Sequence, residues 1–168
     1  MISSRRKVLI CGAGELGGIV AELLARHPHF RGEILLADVN LDLAMRRANS
    51  AQHGALHWGA DTLVTARALD LRQVEQTASL LAELSPDLIF NATTLATWWL
   101  RDLLPEAVKQ RLHVVGAGSG VWSASHAALA FHLMQAVRQS GLSVPVINSS
   151  YPDAVNPALA AAGLAPDV

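Results

Sequence analysis

An apolar segment that runs directly into the glycine pattern G-x-G-x-x-G constrains the fold of this chain more than any other feature. The segment spans residues 7–11, and the three glycines are Gly12, Gly14 and Gly17. A helical pattern follows, and a second apolar segment ends at Asp38, about 20 residues beyond the motif. A glycine motif alone is weak evidence, but within strand, turn, helix, strand and acid it predicts a dinucleotide-binding site.

Each glycine has a separate physical role in such a site. Gly12 takes the tight turn after the strand, Gly14 lets a pyrophosphate approach the main chain, and Gly17 allows the helix to pack closely on the strand. The N–H groups of the first helical turn, where Glu15 and Leu16 lie, then face the phosphates. These five residues are predicted to bind the cofactor.

Asp38 is predicted to accept hydrogen bonds from the ribose diol of the cofactor. Its carboxylate would repel a 2′-phosphate, so NAD is favoured over NADP, although Arg46 and Arg47 lie downstream and soften that preference. The alternative is that Asp38 merely caps the helix that begins near Leu41.

Composition excludes several classes of protein. The 168 residues suit one domain, and 51% hydrophobic against 16% charged residues is enough to bury a large core. The net charge of −1 provides no basic field for nucleic acid. The single cysteine, Cys11, fits a reducing cytosol, and no apolar run is long enough for a bilayer. We therefore expect a cytoplasmic protein with no membrane partner.

Apolar segments alternate with helical patterns along the whole chain. Strands are predicted over residues 7–11, 33–38, 65–70, 87–92, 113–116 and 144–148, and helices over residues 15–26, 41–52, 72–84, 96–111 and 123–140. This alternation predicts an α/β fold with a doubly wound parallel sheet of about six strands in the order 3-2-1-4-5-6. The ligand crevice is then expected at the carboxyl ends of strands 1 and 4.

Two helices have large apolar residues that are expected to face inward. In the first helix these are Leu16, Ile19, Val20, Leu23 and Leu24. In the fourth they are Trp98, Trp99, Leu103 and Leu104, with Pro105 as a point where the helix divides. The paired tryptophans also fit an interface with a second domain or with another subunit of a homo-oligomer.

Further polar segments follow the later strands. Asn91, Ala92 and Thr93 stand where strand 4 ends and are predicted to line the cofactor, unless Asn91 only caps the next turn. The glycine-rich residues 116–120 are more typical of a strand-to-helix turn than of an anion nest. After strand 6, residues 149–157 form either a surface loop or part of a substrate site, with Tyr151, Asp153 and Asn156 as its polar candidates.

No pattern in the sequence identifies catalytic residues or a metal site. The seven histidines lack the spacing of a ligand set, and Cys11 has no basic partner near it in the sequence. The catalytic residues therefore stay unknown at this level.

The glycine motif, the strand that ends at Asp38 and residues 70–94 resemble the saccharopine dehydrogenase-like reductases over about the first 95 residues. This resemblance implies an NAD(P)-binding Rossmann domain over residues 1–150. Residues 151–168 would lead toward a separate substrate domain, which this chain is expected to lack.

Residues 70–92 also resemble the extended short-chain dehydrogenases. Two departures weaken that resemblance: the first turn is not G-x-x-G-x-x-G, and Tyr151 is followed four residues later by Val155 instead of lysine. The proton relay of that family therefore cannot be assigned here.

The favoured interpretation is the cofactor domain of an NAD(P)-dependent oxidoreductase. It would transfer a hydride to or from a small amino-acid or keto-acid type substrate. The alternatives are an NAD(H)-sensing module without turnover and an atypical short-chain dehydrogenase-like protein. A scaffold that binds no nucleotide is a further alternative, although close helix packing needs only one of the three glycines.

Overall fold

The computed structural model describes residues 5–114 and 120–168, in which a parallel sheet lies between two layers of helices. The strands are β1 (Arg6–Cys11), β2 (Gly32–Asp38), β3 (Thr62–Ala68), β4 (Leu88–Asn91) and β5 (Val146–Asn148). The helices are α1 (Glu15–Ala25), α2 (Leu41–His57), α3 (Val74–Leu84), α4 (Glu106–Val114), α5 (Gly120–Ser140) and α6 (Val155–Ala161), with a 3-10 helix over Trp98–Leu103.

The sheet has the order β3-β2-β1-β4-β5, and every neighbouring pair is parallel. This arrangement confirms the predicted doubly wound α/β fold. The described residues contribute five strands, and the predicted sixth strand is β5, which pairs directly with β4.

The strand predicted over residues 113–116 is wrong at its start, because His113 and Val114 form the end of α4. A short apolar run does not distinguish a strand from a helix end by its periodicity, and here the helix after Pro105 extends to Val114. Residues 115 and 116 lie outside the described part of the chain, as do residues 117–119 of the glycine-rich turn.

The two faces of the sheet carry separate cores. On one face, Val8, Ile10 and Ile34 pack against the alanine-rich sides of α1 and α2. On the other face, Leu9 and Ile89 pack against α3, α5 and α6 in a second buried cluster. Because strand side chains alternate between faces and both faces are covered, the central strands are apolar without a break.

The expected inner face of α1 is largely wrong. Leu16, Ile19 and Leu23 are exposed, with 61% of Leu23 accessible, whereas Val20 and Leu24 pack against the core. The residues that face the sheet are small: Gly17, Gly18, Ala21 and Ala25. The large apolar residues and the small residues both recur at helical spacing. Because the helix lies very close to the sheet, only the small residues fit on the buried side.

The helix predicted over residues 96–111 is divided at Pro105, as expected. The prediction of which residues of this helix face inward is wrong. Trp99 is half exposed and 74% of Leu103 is accessible, whereas Leu104 is partly buried. The side chain of Trp98 lies outside the described part of the structure. The piece before Pro105 is a 3-10 helix, in which side chains recur every three residues and do not form an α-helical stripe.

Two element boundaries also differ from the sequence prediction. Helix α2 continues through Gly54 to His57, because Ala51 and Ala55 extend its buried face. Strand β3 begins at Thr62, where its register pairs it with Gly32 of β2. Tertiary packing outweighs the unfavourable helix propensity of a single glycine.

The close contact between α1 and the turn after β1 can be tested with Gly17→Ala. A Cβ atom at Gly17 would collide with the carbonyl oxygen of Gly12, so the backbone must move. We expect the free energy of unfolding to fall by about 2 kcal/mol or more and the thermal midpoint by about 4–8 °C.

Gly14→Ala is the matched control, because no atom lies within 4 Å of the added Cβ. It should lower the thermal midpoint by much less than Gly17→Ala does. Equal midpoints for the two variants in differential scanning calorimetry would show that the close approach of α1 is not required.

Candidate functional site: the crevice at the carboxyl ends of the strands

The carboxyl ends of four strands meet in one row across the sheet. Ala37 pairs with Cys11, Cys11 with Asn91, and Asn91 with Asn148. The loops that leave β1, β2, β4 and β5 therefore start side by side. The sequence placed its candidate residues on these same loops, and the parallel register brings them together.

The glycine turn after β1 is held between β2 and the loop after β4. Gly12 adopts a φ of +96°, and an added Cβ would lie 2.7 Å from the carbonyl oxygen of Ala92. Its N–H donates to the carbonyl of Ala37 at 2.7 Å, while the N–H of Ala92 donates to Cys11 at 2.8 Å. A side chain at Gly12 is thus excluded by both strain and space.

The amino end of α1 opens onto the crevice. Gly14 is the N-cap residue, no side chain caps the helix, and no atom lies within 4 Å of a Cβ built on Gly14. The side chains of Glu15 and Leu16 are exposed. The groups of this turn that are available to a ligand are its main-chain N–H groups, which have no partner within the helix. An anion can therefore approach these donors directly, and the helix dipole favours it.

Asp38 is tied to this turn by its carboxylate. One oxygen accepts a 2.7 Å hydrogen bond from the N–H of Ala13, and the other accepts from the N–H of Asn40 at 2.8 Å. The helix-capping role is filled by Asn40, whose side chain accepts from the N–H of Leu43. Asp38 therefore joins the carboxyl end of β2 to the glycine turn.

A cleft of about 380 Å³ extends from this turn over the ends of β2 and β3. The residues that line it include Gly14 and the polar side chains of Asp38, Asp70, Arg72, Thr93 and Thr94. Arg72 makes a bidentate contact with Asp70, with a shortest distance of 2.7 Å, and this hydrogen bonding lowers the pKa of the Asp70 carboxyl. Sequence reasoning did not select this ion pair, because only the fold places residues 70–72 at the crevice.

Asn91 is fully buried and joins the loops after β4 and β5. Its side-chain amide donates to the Oδ1 of Asn148 at 2.8 Å, and its Oδ1 accepts from the hydroxyl of Thr93 at 2.7 Å. Its main-chain carbonyl accepts from the hydroxyl of Ser149 at 2.6 Å. Contact of Asn91, Ala92 or Thr93 with a cofactor remains a prediction, but their arrangement at the crevice is determined by this network.

A second, polar pocket of about 400 Å³ follows β5. It is lined by Asn148, Ser149, Ser150, Tyr151, Asp153 and Asn156. The side chain of Asn148 donates to Asn156 at 2.6 Å, which links this pocket to the Asn91 network. The three residues that the sequence singled out after β5 are thus brought into one cavity.

Cys11 lies beside the crevice but is unsuited to nucleophilic attack. Its side chain is fully buried, and burial raises the pKa of the thiol to about 12. Within residues 5–114 and 120–168, no three His, Cys, Asp or Glu side chains lie close enough together to hold a metal ion. In the same part of the chain, none of the helices combines the length and hydropathy that a bilayer crossing requires.

The Asn91 network can be tested with Asn91→Ala. This change removes the hydrogen bond to Asn148 and takes away the acceptor of the part-buried N–H and hydroxyl of Thr93. The free energy of unfolding should therefore fall by about 1–3 kcal/mol in urea titration. Asn49→Ala, at an exposed position of α2, is the matched control and should be nearly neutral. Similar unfolding midpoints for both variants would contradict the structural role of Asn91.

Comparison with known proteins agrees with this geometry. The family model of the saccharopine dehydrogenase NADP binding domain matches residues 8–162. A curated malate dehydrogenase 2 from Rhodopseudomonas palustris (strain BisB18) is 35% identical over 65 residues, which are 39% of this chain and 20% of that protein.

Solved dehydrogenase structures share the fold. The apo malate dehydrogenase of Picrophilus torridus has a TM-score of 0.69 at 22% identity, over 97% of this chain and 44% of that one. A lactate dehydrogenase of Cryptosporidium parvum has a TM-score of 0.60 at 16% identity, over 98% and 41%. The malate dehydrogenase of Archaeoglobus fulgidus in complex with NADH has a TM-score of 0.62 at 16% identity, over 89% and 42%.

This chain therefore spans less than half the length of each of these relatives. The structural matches, all at low identity, carry the fold alone, whereas the family model covers most of the chain. On that match and on the glycine turn, the chain belongs to the saccharopine dehydrogenase NADP-binding domain family, a family of nicotinamide dinucleotide-binding Rossmann domains.

Proposed function

We propose that this chain is the cofactor domain of an oxidoreductase that transfers a hydride to or from a small amino-acid or keto-acid type substrate. The observation that carries the proposal is the open, uncapped amino end of α1 above Gly14, held against Asp38. A dinucleotide needs such main-chain donors for its pyrophosphate and an acid for its ribose.

The residues of the crevice fit a nicotinamide dinucleotide. The N–H groups at the start of α1 would hold its pyrophosphate, and the remaining lone pairs of Asp38 would accept from its ribose hydroxyls. The loop of Asn91, Ala92 and Thr93 would line its nicotinamide half. When bound, such a cofactor supplies or accepts the hydride, and the protein provides position and electrostatics.

Asp38 favours NAD over NADP in this arrangement. Its carboxylate stays fixed by two main-chain N–H groups, and a 2′-phosphate at the same ribose would lie beside that negative charge. Arg47 does not offset this charge directly, because its side chain packs along Gly18 of α1.

The substrate would bind next to the polar pocket after β5. In the proposed division, residues 1–150 form the cofactor domain and residues 151–168 lead toward a substrate domain. The pocket then belongs to the boundary between the two. Helix α6 packs into the core through Val155 and Leu159, so this boundary would be a rigid one.

A cytoplasmic location and a homo-oligomeric state are part of the proposal. The free thiol of Cys11 fits a reducing compartment. The exposed apolar side chains of Leu16, Ile19 and Leu23 on α1 offer a surface for a second domain or subunit. Light scattering of the purified chain measures its oligomeric state directly.

The pyrophosphate site can be tested with Gly14→Val. Valine fits the φ of −63° at this position, and its side chain would occupy the space in front of the N–H groups. We expect the affinity for NADH to fall by at least about tenfold while the thermal midpoint changes little. Gly54→Ala, in the interior of α2, is the glycine control and should bind NADH normally. Unchanged NADH affinity in folded Gly14→Val would remove the site.

The ribose contact can be tested with Asp38→Asn. This change keeps the size of the side chain and removes its charge, so NADH should bind about tenfold more weakly and the preference over NADPH should narrow. Asp42→Asn removes the same charge from the first turn of α2 and is the control. Fluorescence titration measures the ratio of the dissociation constants for NADPH and NADH. An equal ratio in the two variants would contradict the role of Asp38.

A further inference from the structure

His126 lies between the two cavities of the crevice. Its Nδ1 is 3.0 Å from the hydroxyl oxygen of Thr94, which lines the cleft, and its ring packs edge-on against Tyr151, which lines the polar pocket. The ring centroids of His126 and Tyr151 are 6.3 Å apart, at an interplanar angle of 88°. One imidazole therefore contacts a residue of each cavity, at the point where a cofactor and a substrate would meet.

The hydrogen bonds of Thr94 favour one tautomer of the His126 ring. The Thr94 hydroxyl donates its only hydrogen to the carbonyl of Ala96 at 2.8 Å, so toward His126 it acts as an acceptor. With the Thr94 hydrogen assigned to Ala96, the shorter of the two contacts, Nδ1 is the donor toward Thr94 and the lone pair of the neutral ring lies on Nε2.

The surroundings of His126 favour this neutral form. Burial lowers the pKa of the His126 imidazole below its ordinary value, so the neutral ring dominates at pH 7. Of the two histidines on α5, His132 is the one whose charge contributes to lowering the pKa of the Asp70 carboxyl. The ionisable side chains on the elements around His126 are Tyr151 and Asp153 after β5, His132 and Arg138 on α5, and Glu75 and Glu83 on α3.

We propose that Nε2 of His126 exchanges the proton with the substrate oxygen, between the dinucleotide cleft and the polar pocket. This inference rests on the proposed function. In the oxidative direction, the substrate alcohol would give up its carbon-bound hydrogen as a hydride, which a bound oxidised cofactor would accept. It gives its hydroxyl proton to Nε2 as the C=O bond forms, and the imidazolium then releases that proton to water. In reduction, the imidazolium returns a proton to the oxygen.

The test uses NMR of the 168-residue chain with ¹⁵N-labelled histidine, titrated with pH alone, with NAD⁺ and with NADH. His126→Gln assigns the signal of His126, and His53 on α2 is the internal reference. We expect the neutral ring to be the Nδ1–H tautomer. Because the nicotinamide ring of NAD⁺ is positively charged, the proton affinity of His126 should be at least about twofold lower with NAD⁺ than with NADH.

Two further variants test the link to Thr94. Thr94→Val removes the acceptor and should shift the neutral ring toward the Nε2–H tautomer, whereas Thr94→Ser keeps the hydroxyl and the original tautomer. An Nε2–H tautomer in the unmodified chain would overturn the inference. Binding of both cofactors with equal proton affinity of His126 would overturn it too, but would leave the proposed function intact. Failure of both cofactors to bind, measured by fluorescence in the same samples, would overturn both this inference and the proposed function.

Discussion

The close approach of α1 to the turn after β1 is the contact on which the rest of the crevice depends. With no side chain at Gly17, the helix lies against the carbonyl of Gly12, and its amino end comes directly over the carboxyl edge of the sheet. This position gives the N–H groups of the first turn their direction. The same approach requires small residues along the whole inner side of α1, and it leaves the larger apolar side chains outside.

Two hydrogen-bond systems then hold the loops around that helix end. Asp38 ties the turn after β1 to the end of β2, and Asn91 ties the loop after β4 to the loop after β5. Both residues are polar groups of the kind that bind ligands, yet both also form hydrogen bonds that hold the protein's own loops in place. Site and scaffold are therefore coupled, because a change at either residue alters the shape of the crevice as well as its chemistry.

The sequence predicted the fold well where several signals agreed. The glycine motif, the apolar strands and the spacing to Asp38 together indicated β1, α1 and β2, and the structure has them within one or two residues of the predicted ends. Predictions that relied on one signal were weaker. Apolar periodicity alone selected Leu16, Ile19 and Leu23 as an inner face, and a short apolar run alone indicated a strand at His113.

The candidate site shows the same division. Residues of the glycine turn could be selected from the sequence because their spacing is local and their physical roles are specific. His126 and Thr94 could not, since they lie far apart in the sequence and meet only when α5 packs against the sheet. The Asp70–Arg72 pair is local in the sequence, but only the fold places it at the crevice.

By itself, the sequence determined the class of fold, the position of the glycine turn and the acid at the end of β2, because each follows from backbone geometry over a few neighbouring residues. Tertiary structure alone decided which stripe of α1 is buried, that Asn91 bonds to Asn148, and that His126 joins the two cavities. Those outcomes depend on the distance between a helix and a sheet and on the register of parallel strands, and neither quantity is a property of any short stretch of sequence.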